Sequence, residues 1–135
     1  AHTGDALENI LKSVRNKSNE KIILVFGCGG DRDKGKRKEM ALVAEKFADH
    51  CIITSDNPRN ENPKDIIEDI SKHFKNEPLK ILDRKEAICK AIKIAKKNDL
   101  VLIAGKGHEE FQEIKNKKIY FSDKKVVENF LKKRI

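Results

Sequence analysis

Apolar residues follow two rhythms along the chain, and the two alternate. Lys21-Ile22-Ile23-Leu24-Val25-Phe26 is a nearly unbroken apolar run, which predicts a strand covered on both faces. It ends in Gly27-Cys28-Gly29-Gly30, after which Met40, Leu42, Val43, Ala44 and Phe47 recur at helical spacing. Cys51-Ile52-Ile53-Thr54 predicts a second buried strand, broken by Asp56-Asn57-Pro58-Arg59. Pro63 then falls at the first position of a helix, behind Asn62 as its cap, with Ile66, Ile67, Ile70 and Phe74 as the apolar stripe.

The alternation continues to the end. Leu79 to Leu82 predicts a third strand. Asp83-Arg84-Lys85-Glu86 has the form of a capping box, ahead of Ile88, Ala91, Ile92 and Ala95 on one helical face. Leu100-Val101-Leu102-Ile103-Ala104 is the fourth strand, running into Gly105-Lys106-Gly107-His108-Glu109. Phe111 to Ile114 and Lys118 to Phe121 pair as a hairpin across Asn116, and Ser122 and Asp123 cap a last helix carrying Val126, Val127, Phe130 and Leu131.

Continuous apolar strands alternating with amphipathic helices predict a doubly wound, Rossmann-like α/β domain: a mostly parallel sheet flanked by helices. Ligands of such sheets bind beyond the carboxyl ends of the strands. Three strands end there in glycine-rich or charged loops, at 27–37, 55–62 and 105–110. One site built from three loops is the expectation.

Composition narrows the class. A chain of 135 residues fits a single domain. Its 38% hydrophobic residues are gathered in short ordered runs, so the 39% of charged residues does not make it disordered. No apolar run approaches the ~20 residues of a membrane span, so no membrane partner is expected. Cys28, Cys51 and Cys89 are odd in number and lack CxxC spacing, which argues against a disulfide scaffold or a zinc site and for a reducing, cytoplasmic location. The net charge of +8 favours acidic partners, or simply solubility through surface lysines. A basic nucleic-acid-binding module is the first alternative; aromatics of only 5%, without Trp, give it no stacking platform.

Candidate chemistry lies in the three loops. In Gly27-Cys28-Gly29-Gly30-Asp31-Arg32-Asp33-Lys34-Gly35-Lys36-Arg37, glycines let backbone amides approach an anion and the basic residues supply charge. The spacing is neither G-x-G-x-x-G, since Arg32 stands at the third glycine, nor a Walker A loop, and a mere tight strand-to-helix connection stays open as the lesser alternative. Asp56-Asn57-Pro58-Arg59 sets an anion, an amide and a guanidinium around a rigid proline, suited to the ammonium and carboxylate of an amino acid. Asx-Pro is also an ordinary turn. His108 is a possible acid, base or phosphate contact, although most loop histidines are none of these. Cys28, with no local His, reads as a packed small residue rather than a reactive thiol.

Taken together, the three loops resemble the C-terminal domain of the MurE-type Mur ligases, which add the third amino acid to the UDP-MurNAc dipeptide in peptidoglycan synthesis. The resemblance rests on VFGCGGDRDKGKR (Val25 to Arg37), on DNPR with Asn60-Glu61-Asn62-Pro63, and on AGKGHE (Ala104 to Glu109). It runs from Ala1 to about Leu131. Ala1-His2-Thr3-Gly4-Asp5-Ala6-Leu7-Glu8 resembles the family's segment at the join with its central ATP-binding domain, with Gly4 in place of the usual Pro. Residues 1–135 are therefore expected to be a single C-terminal domain, a fragment without the N-terminal UDP-substrate domain and the central ATPase domain.

The resemblance implies an ATP- and Mg2+-dependent amide ligase working through an acyl phosphate, with ATP and Mg2+ held mainly by the central domain. It implies diaminopimelate, ATP and the UDP-MurNAc-dipeptide as partners of the full-length enzyme, and no nucleic acid. The positions matching the family's amino-acid contacts are Arg32, Asp56, Asn57, Arg59, Gly105 and Glu109; His2 and Asp31 match positions nearer the nucleotide. No catalytic residue and no metal ligand is expected in this segment. DNPR is the form associated with meso-diaminopimelate, whose distal carboxylate lysine lacks. A site built around such a group rejects an analogue lacking it by up to roughly 10⁴-fold. Lanthionine presents the same two ends and is not separated from it. A ligase of the folylpolyglutamate type is the remaining alternative, disfavoured by DNPR with AGKGHE, as is a self-sufficient enzyme by the absent P-loop.

Overall fold

A computed structural model describes residues 4–17, 21–30, 35–96, 99–104, 111–114 and 117–120. Helix α1 (Gly4–Lys17) precedes strand β1 (Ile22–Phe26), followed by α2 (Gly35–Phe47), β2 (His50–Ile53), α3 (Pro63–Ser71), β3 (Leu79–Lys80), α4 (Arg84–Ile94) and β4 (Leu100–Ile103). The four strands form one parallel sheet in the order β3-β2-β1-β4. Strands β5 (Phe111–Ile114) and β6 (Lys117–Tyr120) form a separate antiparallel pair.

The doubly wound expectation holds in detail. From β1 the chain steps outward through α2 to β2 and through α3 to β3, then α4 carries it back to the far side of β1. The direction of winding therefore reverses between β1 and β4, the place where such sheets take their ligands. Residues of β1 alternate between two cores. Ile22, Leu24 and Phe26 face α1, α2 and α3 through Leu7, Leu11, Met40, Ala44, Ile66 and Ile70. Ile23 and Val25 face α4 through Ala87, Ile88 and Ala91. All five β1 side chains are buried, each worth about 1.5–3 kcal/mol of transfer free energy.

Local chemistry sets the ends of the elements. Asn62 caps α3, its side chain accepting from the Lys64 amide at 2.9 Å, and Pro63 follows at the first turn. Asp83 caps α4 by accepting from the amides of Lys85 and Glu86 at 2.8 and 3.3 Å. At the amino edge of the sheet, Asp49 accepts from the Ile22 amide and from Arg15, each at 2.7 Å.

Four sequence expectations shift. The third strand keeps only Leu79–Lys80, both exposed at the sheet edge; Ile81 still donates to the Ile53 carbonyl at 3.0 Å before the chain turns into α4. The second strand starts earlier, at His50, and stops at Ile53, with Thr54 donating to the Phe26 carbonyl. The second hairpin strand is Lys117–Tyr120, one residue before the predicted span. Leu42 is 49% exposed, because the inward stripe of α2 runs through Arg37, Met40, Ala41 and Ala44. The helix predicted from Ser122 lies outside the described residues. Among the described residues no helix is long and apolar enough to cross a membrane.

Candidate functional site

At the carboxyl edge of the sheet, the loop after β1 and the loop after β2 lie backbone against backbone. A Cβ on Gly27 would overlap the Thr54 carbonyl oxygen, and one on Gly30 would overlap that of Pro58. Only glycine permits this approach. The Gly30 amide donates to the Asn57 carbonyl at 2.8 Å, and Arg59 Nη1 donates to the carbonyls of Gly30 at 2.9 Å and Asn57 at 3.3 Å.

The DNPR turn is bent. Asn57 has φ 41° and Arg59 φ 54°, both in the left-handed region, on either side of Pro58. Asparagine tolerates that region; an arginine there costs on the order of 1–2 kcal/mol. Such strain persists where surrounding contacts over-determine it, and here Arg59's own side chain supplies two of them. Asp56, a residue only 5% exposed, opens the turn.

Two arginines that sequence reasoning did not single out hold the loops. Arg37, 2% exposed, donates to Glu61 at 2.7 Å, to Asp69 at 3.0 Å and to the Gly29 carbonyl at 3.3 Å. The sequence expectation gave its charge to an anionic ligand, but the structure pairs that charge with two carboxylates. Burial works against the charged guanidinium, and the bonds from Glu61 and Asp69 outweigh it, leaving its pKa above the ordinary value. Asp69 in turn sits below the usual carboxylate range, held there by Lys72 first and then Arg37, against its own burial. Arg84, 1% exposed, donates to the carbonyls of Ser55 at 3.0 Å and Ala104 at 3.4 Å. It joins the β2 loop to the end of β4, the residue before Gly105. A signal for both was present. Arg37-Met40-Ala41-Ala44 and Arg84-Ala87-Ile88-Ala91 each place the arginine on the inward stripe of its helix.

Of the predicted site residues, the structure brings Asp56, Asn57 and Arg59 against Gly27–Gly30. Arg32, Asp31, Gly105, Glu109, His2 and His108 lie outside the described residues. Cys28 is a packing residue, as expected. Burial pushes its thiol up to about 12, opposed by Arg37 and reinforced by Asp56 and Asp69. No group of three or more His, Cys, Asp or Glu among the described residues is arranged to hold a metal ion. A cavity of about 300 Å³, lined by Glu45, Asp49, His50 and Phe74 among others, opens at the opposite edge of the sheet, where Glu45 caps the Lys75 and Asn76 amides. It lies at the end of the sheet away from Gly27–Gly30 and the 56–59 turn.

Fold and loops together define a doubly wound α/β domain, the class of sheet whose ligands are taken at the carboxyl edge, where the winding reverses. Residues 1–107 match the family described as Mur ligase, glutamate ligase domain, and the chain belongs to that family. It is 50% identical over 133 residues to UDP-N-acetylmuramoyl-L-alanyl-D-glutamate--2,6-diaminopimelate ligase 1 of Clostridium acetobutylicum, covering 98% of this chain and 28% of that protein. It is 52% identical over 137 residues to the 2,6-diaminopimelate ligase of Clostridioides difficile, covering 98% of this chain and 28% of that protein. A solved structure of a UDP-N-acetylmuramoyl-L-alanyl-D-glutamate--2,6-diaminopimelate ligase superposes with a TM-score of 0.92 at 41% identity, over 99% of this chain and 28% of that one. A bifunctional folylpolyglutamate synthase/dihydrofolate synthase from Yersinia pestis shares the fold, with a TM-score of 0.61 at 15% identity over 100% of this chain and 27% of that one. The chain thus spans little more than a quarter of the length of the curated relatives it matches.

Proposed function

We propose that this chain is the amino-acid-binding C-terminal domain of a longer, cytoplasmic, ATP-dependent amide ligase. The reaction would join meso-2,6-diaminopimelate to UDP-MurNAc-L-Ala-D-Glu in peptidoglycan synthesis. The observation that carries the reading is the DNPR turn. Its buried Asp56, its left-handed Asn57 and Arg59, and its backbone contact with Gly30 make a rigid polar wall at the carboxyl edge of the sheet. The relatives named as 2,6-diaminopimelate ligases support the choice of amino acid.

The division of labour follows from charge. Arg32, Asn57 and Arg59 suit the carboxylates of the amino acid, whereas Asp56, Glu109 and the Gly105 carbonyl suit its ammonium groups. Asp31 and His2 are assigned to the side nearer the nucleotide. In such a ligase ATP, with Mg2+, turns the acceptor carboxylate into an acyl phosphate that the amine attacks. This chain's share is to bind and orient the amino acid. With no P-loop in the sequence, ATP and Mg2+ are assigned mainly to other parts of the longer protein.

The test uses the longer protein with ATP, Mg2+ and the UDP-MurNAc-dipeptide. Joining of diaminopimelate far ahead of lysine is expected. Equal use of both, or use of neither, would overturn the reading.

A further inference from the structure

Arg37 and Arg59 grip consecutive carbonyls of one short segment. Arg37 Nη2 donates to Gly29 at 3.3 Å, and Arg59 Nη1 donates to Gly30 at 2.9 Å. The same Nη2 of Arg37 donates to the Glu61 carboxylate at 2.7 Å, two residues beyond Arg59. Nη1 reaches back to Asp69 on α3 at 3.0 Å. The Glu61 amide closes the turn on the Pro58 carbonyl at 3.0 Å. Arg59 and its left-handed neighbour Asn57 are thus bracketed between a glycine segment and a glutamate that one buried guanidinium holds together.

We propose that Arg37 is a positioning residue for amino-acid recognition: through Gly29 and Glu61 it holds the 56–59 turn in its strained form and so sets where Arg59 is presented. This rests on the function proposed above. The physical reason for an arginine is geometry. A planar fork spans two carboxylates and a carbonyl at once, and a lysine ammonium is a point charge on a flexible stem. The two partners also separate the roles. Glu61 belongs to the turn and Asp69 to α3, where it also pairs with Lys72 at 2.7 Å.

The test has two arms. In the 135-residue chain, amide hydrogen exchange of Gly30 and Glu61 is compared among the parent, Arg37→Lys, Glu61→Ala and Asp69→Ala. The first two variants are expected to lose protection at these amides while the β1 amides keep theirs, and Asp69→Ala to keep both. In the longer ligase, Arg37→Lys and Glu61→Ala are expected to raise KM for diaminopimelate at least about tenfold, part of the roughly 10²-fold that a misplacement of about 1 Å can cost. KM for ATP and for the UDP-MurNAc-dipeptide should stay unchanged, as should every KM in Asp69→Ala. Unchanged exchange at Gly30 and Glu61, or a KM rise shared by all three substrates or by Asp69→Ala, would overturn the proposal. A parent ligase that does not join diaminopimelate would instead overturn the proposed function, with the exchange arm still reporting on the turn. Should Arg37→Lys fail to fold, Glu61→Ala alone decides it.

Discussion

Arg59 donates from Nη1 to the carbonyl of Gly30 at 2.9 Å, across two loops that the sequence separates by 29 residues. The side chain expected to meet a ligand therefore also ties the wall it stands on. Gly30 has no room for even a methyl group, because the Pro58 carbonyl occupies that space. Gly30→Ala is expected to push the loops apart and lower stability by about 1–3 kcal/mol, in the range of overpacked sites. Urea unfolding of the chain measures this, and an unchanged midpoint would show that the contact is loose.

Arg84→Ala is expected to be among the more destabilising single changes. It strips a buried donor from the Ser55 and Ala104 carbonyls and leaves a cavity, at a cost of about 2–4 kcal/mol. Arg84→Lys should recover only part, since one ammonium does not reproduce the two-carbonyl span. Equal stability of the parent and the alanine variant in urea would contradict this.

Acid should weaken the domain through identifiable carboxylates. Asp49 is held below its ordinary 3.8 by Arg15 and the Ile22 amide despite its burial, and Glu45 below its ordinary 4.5 by the amides of Asn76 and Lys75. A depressed folded-state pKa contributes stability that is complete above the unfolded value and is lost as pH falls through the folded one. The decline should therefore begin beneath about pH 4–5, and Asp49→Asn should make it shallower. An identical acid limb in the variant, followed by circular dichroism, would remove Asp49 from the account.

Thiol reactivity should follow burial. Burial pushes Cys28 and Cys51 each up to about 12. Near pH 8, iodoacetamide should leave both unmodified in the folded chain and modify both after unfolding, because only the thiolate reacts. Peptide mapping of alkylated protein gives the answer, and rapid labelling of Cys28 in the folded state would contradict the packing role.

Much of this was legible in the residues. Ile22 to Phe26 read as a strand buried on both faces because all five are apolar, and the two cores use them alternately. Asn62-Pro63 and Asp83 marked helix starts because their side chains replace missing backbone partners locally. Leu79 to Leu82 misled by its apolar ends, since an edge strand is set by the chain's departure toward α4 rather than by composition. The pairing of Arg37 and Arg84, unlike their place on the inward helical stripes, was hidden for a different reason. Their partners, Glu61, Asp69, Ser55 and Ala104, lie 20 to 32 residues away, and local pattern carries no information on that pairing. The positive φ of Arg59 was equally unreadable, because a left-handed arginine is imposed by tertiary contacts.

The account stands most directly on Arg59→Ala in the longer ligase, with kcat/KM measured for diaminopimelate and for lysine. If Arg59 clamps the distal carboxylate as proposed, losing that charge-assisted contact, worth about 2–5 kcal/mol, should cut diaminopimelate use by roughly 10²-fold or more. Lysine, which has no distal carboxylate to lose, should fall much less, so the ratio of the two values should collapse. Arg59→Lys should restore little of it. Because Arg59 also holds Gly30 and Asn57, the contradicting result is equally defined. An equal loss for both amino acids would make Arg59 a brace of the turn and remove distal-carboxylate recognition from it.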